Sequence, residues 1–326
     1  MFEFLINKLK AHPRKIVFTE GTDARILEAA ARLLSGNFLT PVLVGNPEEV
    51  MAAAEKAGFN IRGAEIIDPA NFDDMDKMVD EMVALRKGKM TADECRATLL
   101  QANYFGTMLV KMGYADALLG GATYSTADTV RPALQLVKTK PGNKIVSSCF
   151  IMVRPSATGA NEVLAMGDCA INIKPNEDEL VEIALETAKT AKTFGIDPKV
   201  AFLSYSTKGS GKGEDVDKVR NACAKAKQLA PELALDGEMQ FDAAVSPHVG
   251  QLKFPGSPVA GHANTFIFPD INAGNIGYKI AQRLGNFDAY GPILQGLNAP
   301  INDLSRGCNA LEVYSMAIIT AALCED

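Results

Sequence analysis

Residues 15–44, KIVFTEGTDARILEAAARLLSGNFLTPVLV, contain the pattern that decides the fold. Residues 15–19 form a short apolar run typical of a buried strand, and residues 22–34 have the spacing of a helix that begins at a Thr or Asp cap. Residues 40–44 form a second apolar run. A strand, a helix and a strand of these lengths predict the start of an α/β fold with a parallel sheet covered on both faces.

The same alternation continues along the chain on both sides of one interruption. Before residue 120 the pattern predicts further helices and strands at 47–56, 64–67, 73–87, 92–112 and 115–119. Beyond residue 144, two apparent strands at 145–153 and 162–173 follow each other without a helix, which predicts local antiparallel or mixed pairing. The α/β rhythm then resumes with elements at 177–193, 200–204, 215–229, 233–235, 264–268 and 274–284.

The length and the interruption together predict two domains. The chain has 326 residues, which exceeds the length at which a single core keeps growing. The change of pattern places the boundary near residue 145. The last predicted helix, 313–323, has no sheet of its own to cover, so we expect it to return to the first domain.

The composition is that of a soluble globular protein, with 47% hydrophobic and 22% charged residues. A net charge of −6 argues against nonspecific binding to nucleic acid or to an anionic membrane, because both need a basic surface. No segment has the roughly 20 consecutive apolar residues that span a bilayer, and residues 1–10 lack the features of a signal peptide. Six singly scattered cysteines predict reduced thiols in a cytoplasm.

Residues 300–308, PINDLSRGC, concentrate a carboxylate, a hydroxyl, a guanidinium and a thiol just before the last predicted helix. Free N–H groups and the helix dipole favour an anion such as phosphate at that position. The same residues equally fit a turn followed by a helix cap, because Asn309 and Glu312 have capping-box spacing. These residues alone leave both interpretations open.

Other motif candidates are weaker. Residues 206–213, STKGSGKG, suggest a nucleotide P-loop, but Ser206 replaces its first glycine and Gly213 replaces its final Ser or Thr. A flexible turn is therefore favoured over a phosphate site. No Gly-x-Gly-x-x-Gly follows the first strand, and no serine lies in a hydrolase elbow. The acidic residues between 236 and 270 could bind a metal through their carboxylates, but their spacing matches no calcium loop, so turn capping and solvation are favoured for most of them.

Three arginines are candidates for holding an anionic ligand on this acidic chain. Arg25, Arg86 and Arg131 lie near the ends of predicted helices, and each alone is typical of a solvated helix residue. Residues 125–128 nevertheless follow the strand at 115–119 and resemble a helix cap. Open α/β sheets bind ligands at the carboxyl ends of their strands, so this segment is a candidate binding element.

Several stretches together resemble the phosphate acetyltransferase (phosphotransacetylase) family in its short form without regulatory extensions, over nearly the whole chain. The family interconverts acetyl-CoA and phosphate with CoA and acetyl phosphate. Each stretch alone is a weak signal, and jointly they are specific. They are STADTVRPAL (125–134), AFLSYSTKGS (201–210), DGEMQFDAA (236–244), GSPVAG (256–261), FPDINAG (268–274), YKIAQRLG (278–285), AYGPILQGL (289–297) and PINDLSRGC (300–308).

The resemblance implies an α/β, two-domain architecture like that of isocitrate and isopropylmalate dehydrogenases, with an active-site cleft between the domains. It implies a first domain of residues 1–145 plus 298–326 and a second domain of residues 146–297. The implied assembly is a homodimer without a metal or a cofactor. The expected small-molecule partners, CoA among them as a substrate, are CoA, acetyl-CoA, phosphate and acetyl phosphate.

The resemblance also assigns site residues. Ser305 and Arg306 match the active-site serine and arginine: the guanidinium would bind the phosphoryl group, and the hydroxyl would orient the thiol or the carbonyl. Arg86 and Arg131 match arginines near the CoA 3′-phosphate, and Arg25 matches another arginine of the cleft. The other residues expected to contact CoA or phosphate are Ser125, Thr126 and Cys308.

At one position the sequence departs from the family. Glu312 replaces an aspartate that is proposed to deprotonate the CoA thiol. A thiol has a pKa of about 8.5 and is mostly protonated near neutral pH, so a base is needed to form the thiolate. Glutamate keeps the carboxylate on a longer side chain. Glu312 is therefore both the predicted base and the predicted cap residue, and the two roles stay open.

Two other functions remain as alternatives. A phosphate butyryltransferase of the same fold would differ little in sequence, because a pocket discriminates one methylene by only about 1–3 kcal/mol. A noncatalytic CoA-sensing domain is disfavoured by the intact Ser305–Arg306 pair. For the reaction itself, direct attack in a ternary complex is favoured over an acyl intermediate on Cys308.

Overall fold

The computed structural model describes residues 2–156, 159 and 161–325. In chain order its helices and strands are α1 (Phe2–Ala11), β1 (Arg14–Phe18), α2 (Ala24–Gly36), β2 (Leu39–Val44), α3 (Pro47–Ala57), β3 (Glu65–Ile67), α4 (Met75–Arg86), α5 (Ala92–Leu99), α6 (Ala102–Lys111), β4 (Ala117–Gly120), α7 (Thr126–Pro132), β5 (Ser147–Pro155), β6 (Asn161–Gly167), α8 (Glu177–Thr193), β7 (Lys199–Leu203), α9 (Glu214–Leu229), β8 (Ala234–Met239), α10 (Phe241–Val245), α11 (Pro247–Lys253), β9 (Thr265–Ile267), α12 (Ile271–Leu284), β10 (Asp288–Gln295), β11 (Ile301–Asp303) and α13 (Ala310–Ala322). Of these described helices, none has the length and apolar character needed to cross a membrane.

The chain divides into two compact units. The first unit comprises Phe2–Pro141 and residues 297–325, and the second unit comprises Gly142–Gly296. Within the described residues, the first unit has a five-stranded parallel sheet with the strand order β11-β4-β1-β2-β3. All strands being parallel, their carboxyl ends meet at one edge, which is where such sheets bind ligands.

The sheet of the first unit is buried on both faces, as the apolar strand sequences require. Ile16, Val17 and Phe18 of β1 are fully buried, since side chains on both faces of a covered parallel strand lie in the core. Helix α13 packs against α1 and α2. Its sequence is apolar on almost every side, and replacing its buried Ile318 or Ile319 by alanine would cost about 2–5 kcal/mol.

The second unit has a mixed sheet. Its described strands follow the order β10-β5-β6-β9-β7-β8. The pairs β10/β5 and β5/β6 are antiparallel, whereas β6/β9, β9/β7 and β7/β8 are parallel. Helices α8 and α9 pack on one face of the sheet around Phe202 and Ile267. The antiparallel pairing expected for the first two strands of this unit is thus present.

One predicted helix is interrupted in the structure, and one predicted strand ends early. The helix predicted at 92–112 is broken between α5 and α6, because Gln101 has an extended backbone with φ −80° and ψ 126°. The strand predicted at 162–173 ends at Gly167. There the Asp168 carboxylate accepts hydrogen bonds from the backbone of residues 170–172 and forms a tight turn, a conformation that aspartate side chains favour.

Candidate active site

The segment that joins β11 to α13, called here the 304–309 loop, begins at the carboxyl edge of the first unit's sheet. β11 pairs in parallel with β4, with Asp303 opposite Gly120. The Leu304 N–H then donates to the Gly120 carbonyl at 2.7 Å. The loop therefore lies directly beside the segment that follows β4, called here the 120–123 loop.

Ser305 and Arg306 are exposed on this loop. The loop folds into a tight turn, in which Cys308 N donates to the Ser305 carbonyl at 2.9 Å and Gly307 N donates to Ser305 Oγ at 3.2 Å. The Ser305 oxygen is thus an acceptor within the turn, and its hydrogen can be donated to a bound group. The turn presents a hydroxyl and a guanidinium side by side.

Arg25, in the first turn of α2, holds the backbone of this loop. Its Nη1 donates to the Arg306 carbonyl at 2.9 Å and to the Cys308 carbonyl at 3.2 Å. Its Nη2 donates to the Ala122 carbonyl at 3.0 Å. One guanidinium therefore joins the start of α2, the 120–123 loop and the 304–309 loop.

The remaining donors of Arg25 bind Asp23, the N-cap residue of α2. Nε donates to Asp23 Oδ1 at 3.0 Å and Nη2 donates to Asp23 Oδ2 at 2.8 Å. These hydrogen bonds from Arg25 lower the pKa of Asp23. Since a guanidinium has five N–H groups, the hydrogen bonds within the protein engage them all. In this structure Arg25 orders the loop backbone, and its predicted contact with substrate stays a prediction.

Glu20, a partly buried carboxylate that follows β1, lies beside the 120–123 loop. Its Oε1 accepts hydrogen bonds from Gly121 N at 2.9 Å and from Thr123 N at 3.2 Å. Its Oε2 accepts from the Thr19 hydroxyl at 2.8 Å. Burial raises the pKa of Glu20 above its ordinary value. Glu20 thus fixes the 120–123 loop from beneath.

Asp303, at the end of β11, ties the motif to helix α7. This carboxylate is buried and accepts from the Thr126 hydroxyl at 2.5 Å and from the Thr129 hydroxyl at 2.6 Å. Burial raises the pKa of Asp303. The backbone of Gly121, at φ +102°, passes so close that a Cβ there would meet the Asp303 carboxylate. The predicted residue Thr126 is thus joined to the motif through Asp303.

Ser125, the N-cap residue of α7, and Arg131, in the last turn of that helix, share Asp128 as a partner. The Ser125 hydroxyl donates to Asp128 Oδ2 at 2.7 Å, and Arg131 Nη1 lies 3.2 Å from Asp128 Oδ1. The hydrogen bond from Ser125 is the main cause that lowers the pKa of Asp128. The Arg131 side chain is 57% exposed, so most of its donors face solvent and are available to an anionic ligand.

Arg86 lies elsewhere in the first unit, in the last turn of α4. Its Nε is buried and has no hydrogen-bond partner among the described residues. Burial raises the pKa of Cys95 on α5, and the nearby charge of Arg86 opposes that shift. The structure therefore places Arg86 beside α5, and its predicted contact with CoA stays a prediction.

Glu312 forms the capping box that its spacing predicted. Its backbone N–H donates to Asn309 Oδ1 at 2.9 Å, and its Oε2 accepts from Asn309 N at 2.9 Å. The Glu312 side chain is exposed. Its charge acts on the pKa of the Cys308 thiol, which places the carboxylate near the 304–309 loop. The cap is observed, and the role as base stays a prediction.

Comparison with known proteins identifies the family. A family model described as Phosphate acetyl/butaryl transferase matches residues 1–321. The phosphate acetyltransferase of Bacillus subtilis (strain 168) is 53% identical over 322 residues, which cover 99% of this chain and 98% of that protein. The chain belongs to this family. The resemblance inferred from the sequence is confirmed, and this member of the family is an acyltransferase enzyme.

Solved structures of the family agree with the fold. A phosphotransacetylase from Streptococcus pyogenes has a TM-score of 0.95 and 56% identity, and the match covers 99% of this chain and 97% of that one. A branched-chain phosphotransacylase from Enterococcus faecalis V583 has a TM-score of 0.69 and 19% identity over 95% of this chain and 98% of that one, and shares the fold. The predicted α/β fold class is confirmed.

Cys308 is poorly suited to act as a nucleophile. Its side chain is 7% exposed. Burial raises the pKa of the Cys308 thiol, and the opposing effect of Arg25 is smaller. Because the thiolate is the reactive form of cysteine, this environment lowers its reactivity.

The 206–213 loop of this transferase uses its backbone N–H groups internally. Glu238, which is 1% exposed, accepts from Ser206 Oγ at 3.0 Å and from Gly209 N at 2.7 Å through Oε1. Lys208 N donates to the Glu238 carbonyl, and Gly211 N donates to Ser206 Oγ at 2.9 Å. A P-loop leaves such N–H groups free for phosphate. The sequence-based rejection of a P-loop therefore agrees with the geometry.

Sequence reasoning missed Glu20 and the ordering role of Arg25 at this enzyme's candidate site. The signal for Glu20 is its position, since it directly follows a buried strand at the edge of the sheet where ligands bind. The acidic residues between 236 and 270 form no candidate metal site: in the described part of the chain, no group of three or more His, Cys, Asp or Glu side chains could hold a metal ion.

Proposed function

We propose that the transferase interconverts acetyl-CoA plus phosphate with CoA plus acetyl phosphate by direct attack within a ternary complex. The CoA sulfur forms a bond to the acetyl carbon, and the bond from that carbon to the phosphate oxygen breaks. The observation that carries the proposal is the exposed Ser305–Arg306 pair, on a loop whose backbone Arg25 holds in place.

Arg306 is proposed to bind the phosphoryl group and to stabilise charge on it as the carbon–oxygen bond breaks. A guanidinium matches phosphate oxygens with two parallel hydrogen bonds, and an ordered donor aimed at developing charge is worth more than one in water. Ser305 is proposed to donate its hydroxyl hydrogen to the acetyl carbonyl or to orient the thiol. Its oxygen accepts from Gly307 N, which supports this orientation of the hydroxyl.

The attacking thiol needs a base, and Glu312 is proposed for that role. A thiol with a pKa near its ordinary value of about 8.5 is mostly protonated at pH 7, so a carboxylate nearby raises the reactive fraction. Glu312, in the first turn of α13, is exposed and lies near Cys308 of the 304–309 loop. One of its oxygens serves the cap, and the same carboxylate can accept a proton from CoA through the other.

CoA is proposed to bind through Arg86 and Arg131, with contributions from Ser125 and Thr126, whereas Arg25 and Cys308 are proposed to lie beside the phosphate. The exposed guanidinium of Arg131 supports this most directly. No covalent acyl-cysteine is proposed, because the Cys308 thiol is buried and its pKa is raised. Incubation with labelled acetyl-CoA in the absence of phosphate should give no acetyl-enzyme, and a stoichiometric burst of labelled protein would contradict direct attack.

A homodimer through the second unit is proposed. Helix α12 exposes Ile276, Ile280 and Leu284, which are 57%, 53% and 80% exposed at a spacing of four residues. Ile280 also lines an apolar cavity of about 780 Å³. Exposed apolar stripes of this kind mark interaction sites, and a two-fold axis lets one such face cover its own copy. Sedimentation should show a dimer that Ile280→Asp dissociates, whereas Leu229→Asp, at an exposed residue of α9, should leave it intact.

Domain organisation and location are proposed as follows. Residues 1–145 plus 298–326 form the first domain and residues 146–297 the second, which the division into compact units supports. A cytoplasmic location is supported by the six cysteines, which are all free and buried. Cell fractionation with an antibody against the protein would test the location.

The function is tested by assaying the purified protein with acetyl-CoA and phosphate and following acetyl phosphate by ³¹P NMR. Butyryl-CoA is the matched control. We expect acetyl phosphate to form and the kcat/KM for acetyl-CoA to exceed that for butyryl-CoA. Preference for butyryl-CoA would show the other acyl specificity of this fold, and CoA binding without turnover would show a noncatalytic sensor.

A further inference from the structure

Glu20 is a carboxylate beside the candidate site that no step of the proposed reaction uses. It follows β1 at the carboxyl edge of the first unit's sheet. Its contacts are with the protein itself: Oε1 accepts from Gly121 N and Thr123 N, and Oε2 accepts from the Thr19 hydroxyl. Two of these partners are backbone groups of the 120–123 loop. The role of Glu20 therefore depends on what that loop supports.

The 120–123 loop is joined to the 304–309 loop at two places, once directly and once through Arg25. The Gly120 carbonyl accepts from Leu304 N at 2.7 Å, which sets the start of the 304–309 loop. The Ala122 carbonyl accepts from Arg25 Nη2 at 3.0 Å, and Nη1 of the same guanidinium donates to the Arg306 carbonyl. A displacement of the 120–123 loop would therefore be transmitted to both ends of the turn that carries Ser305.

The 120–123 loop has no room to move without loss of these contacts. A Cβ on Gly120 would meet Tyr124 and Thr19 side-chain oxygens, and a Cβ on Gly121 would meet Asp303. The backbone is thus pressed between the end of β1 and the end of β11. In so close a packing, hydrogen bonds decide which conformation the loop adopts, and Glu20 accepts two of its N–H groups.

We propose that Glu20 is a positioning residue for the acyl transfer, which acts through the 120–123 loop and Arg25 on Ser305 and Arg306. The inference rests on the proposed function of the latter pair. Glu20 need not touch a substrate. Its carboxylate oxygen sets the position of the loop that receives Arg25, and Arg25 sets the turn at which the reaction takes place.

The raised pKa of Glu20 is consistent with a residue that is kept for activity rather than for stability. Burial raises its pKa, so the folded protein binds the proton more tightly than the unfolded chain does. Its stabilising contribution is therefore present below the unfolded pKa of about 4.5 and is lost as the pH rises through the folded pKa. When the group is ionised, its burial is a cost in stability, as is common for residues retained for activity.

Three variants, compared with the wild type, test this role by kcat, KM for CoA and Tm. Glu20→Ala removes the acceptor of both N–H groups. Glu20→Gln keeps Oε1 as acceptor, and its Nε2 can donate to Thr19 Oγ1, whose hydrogen then faces the Tyr124 hydroxyl 2.8 Å away. The matched control is Asp116→Ala. Asp116 also joins β1 to β4, by accepting from Lys15 N at 2.7 Å, but at the opposite edge of the sheet.

We expect Glu20→Ala to lower kcat on the order of 10²-fold, since a misplacement of about 1 Å has that effect. The KM for CoA should change less than about threefold, because the reacting centre rather than CoA binding is disturbed. Glu20→Gln should restore kcat to within about threefold of wild type, with a Tm at pH 7 equal to or above it. Asp116→Ala should lower Tm and leave kcat unchanged.

Three results would overturn the inference. They are a wild-type kcat in folded Glu20→Ala, a failure of Glu20→Gln to restore activity, and an equal loss of kcat in Asp116→Ala. If Glu20→Ala does not fold, Glu20→Asp replaces it, because its shorter side chain cannot reach both N–H groups and kcat should again fall. Absence of acetyl phosphate formation by the wild type would instead refute the proposed function.

Discussion

The 304–309 loop and the 206–213 loop look alike in sequence but are held by opposite kinds of contact. Each follows a strand and precedes a helix, and Ser305-Arg306-Gly307 in one resembles Thr207-Lys208-Gly209 in the other. In the first, a cationic side chain donates to backbone carbonyls. In the second, the buried carboxylate of Glu238 accepts from a backbone N–H and a hydroxyl.

The difference decides which groups each loop presents. The hydroxyl residue Ser305 is exposed, whereas its counterpart Thr207 is buried. Arg25 binds carbonyl oxygens, so it orders the backbone of the 304–309 loop and leaves the side chains of the turn available. Glu238 uses hydroxyl and N–H groups that a ligand anion would need. A short motif of this kind can therefore bind an anion only if the residues that order the loop leave free the groups that would contact the anion.

The largest expected effect concerns the cationic side chains of the two loops, Arg306 and Lys208. Arg306→Gln should lower kcat/KM for acetyl phosphate on the order of 10²–10³-fold, as loss of a charge-stabilising donor does in other enzymes. The matched variant Lys208→Gln should change kcat/KM less than about threefold, because Lys208 packs over the ring of Phe254. Steady-state kinetics of both variants measures the contrast. A comparable loss of kcat/KM in Lys208→Gln would contradict the contrast between the two loops.

A smaller effect is expected for Glu312→Gln, which separates base from cap. Glutamine can serve in a capping box, so the Tm of the variant should match that of the wild type. Loss of the carboxylate should lower kcat about 10²-fold, the usual contribution of general-base catalysis. Glu238→Gln, at the β8 residue that holds the 206–213 loop, should chiefly lower Tm. Unchanged turnover in Glu312→Gln would leave Glu312 with the cap role alone.

The hydroxyls of the two loops should give the smallest effects, in different quantities. Ser305→Ala should lower kcat about 10-fold, in proportion to one lost hydrogen bond of about 1.4 kcal/mol, with little change in Tm. Thr207→Val should lower the free energy of unfolding by about 1–3 kcal/mol, because Gln240 N loses its acceptor. Urea unfolding and kinetics of both variants measure this, and a reversal of the two outcomes would contradict the comparison.

Much of the fold could be predicted, because strand and helix periodicity are local signals. The strand at 15–19 and the helix at 22–34 lie within two residues of β1 and α2. The short strand β11 was not predicted as a strand, since Asn302 and Asp303 are residue types that strands disfavour. The end of β6 also escaped prediction, because it depends on how the Asp168 side chain binds the next turn.

The site was predictable where one motif contains the groups and not where distant segments meet. The capping box of Asn309 and Glu312 depends on a spacing of three residues and is present. The contact of Arg25 with Arg306 joins residues 281 positions apart, and that of Glu20 with Gly121 joins residues 101 positions apart. Such pairs depend on strand order, which a single sequence leaves open.

The most direct test of the contrast between the loops is chemical rescue of Arg25→Ala. In that variant the Arg306 and Cys308 carbonyls lose their donor, and kcat for acetyl phosphate formation should fall on the order of 10²-fold with loss of the turn geometry. Added guanidinium chloride, at concentrations below those that unfold the protein, should restore part of the activity, and potassium chloride at the same ionic strength should not. A wild-type kcat in Arg25→Ala, or equal effects of the two salts, would contradict the proposal that a cation on the loop's carbonyls orders Ser305 and Arg306 for reaction.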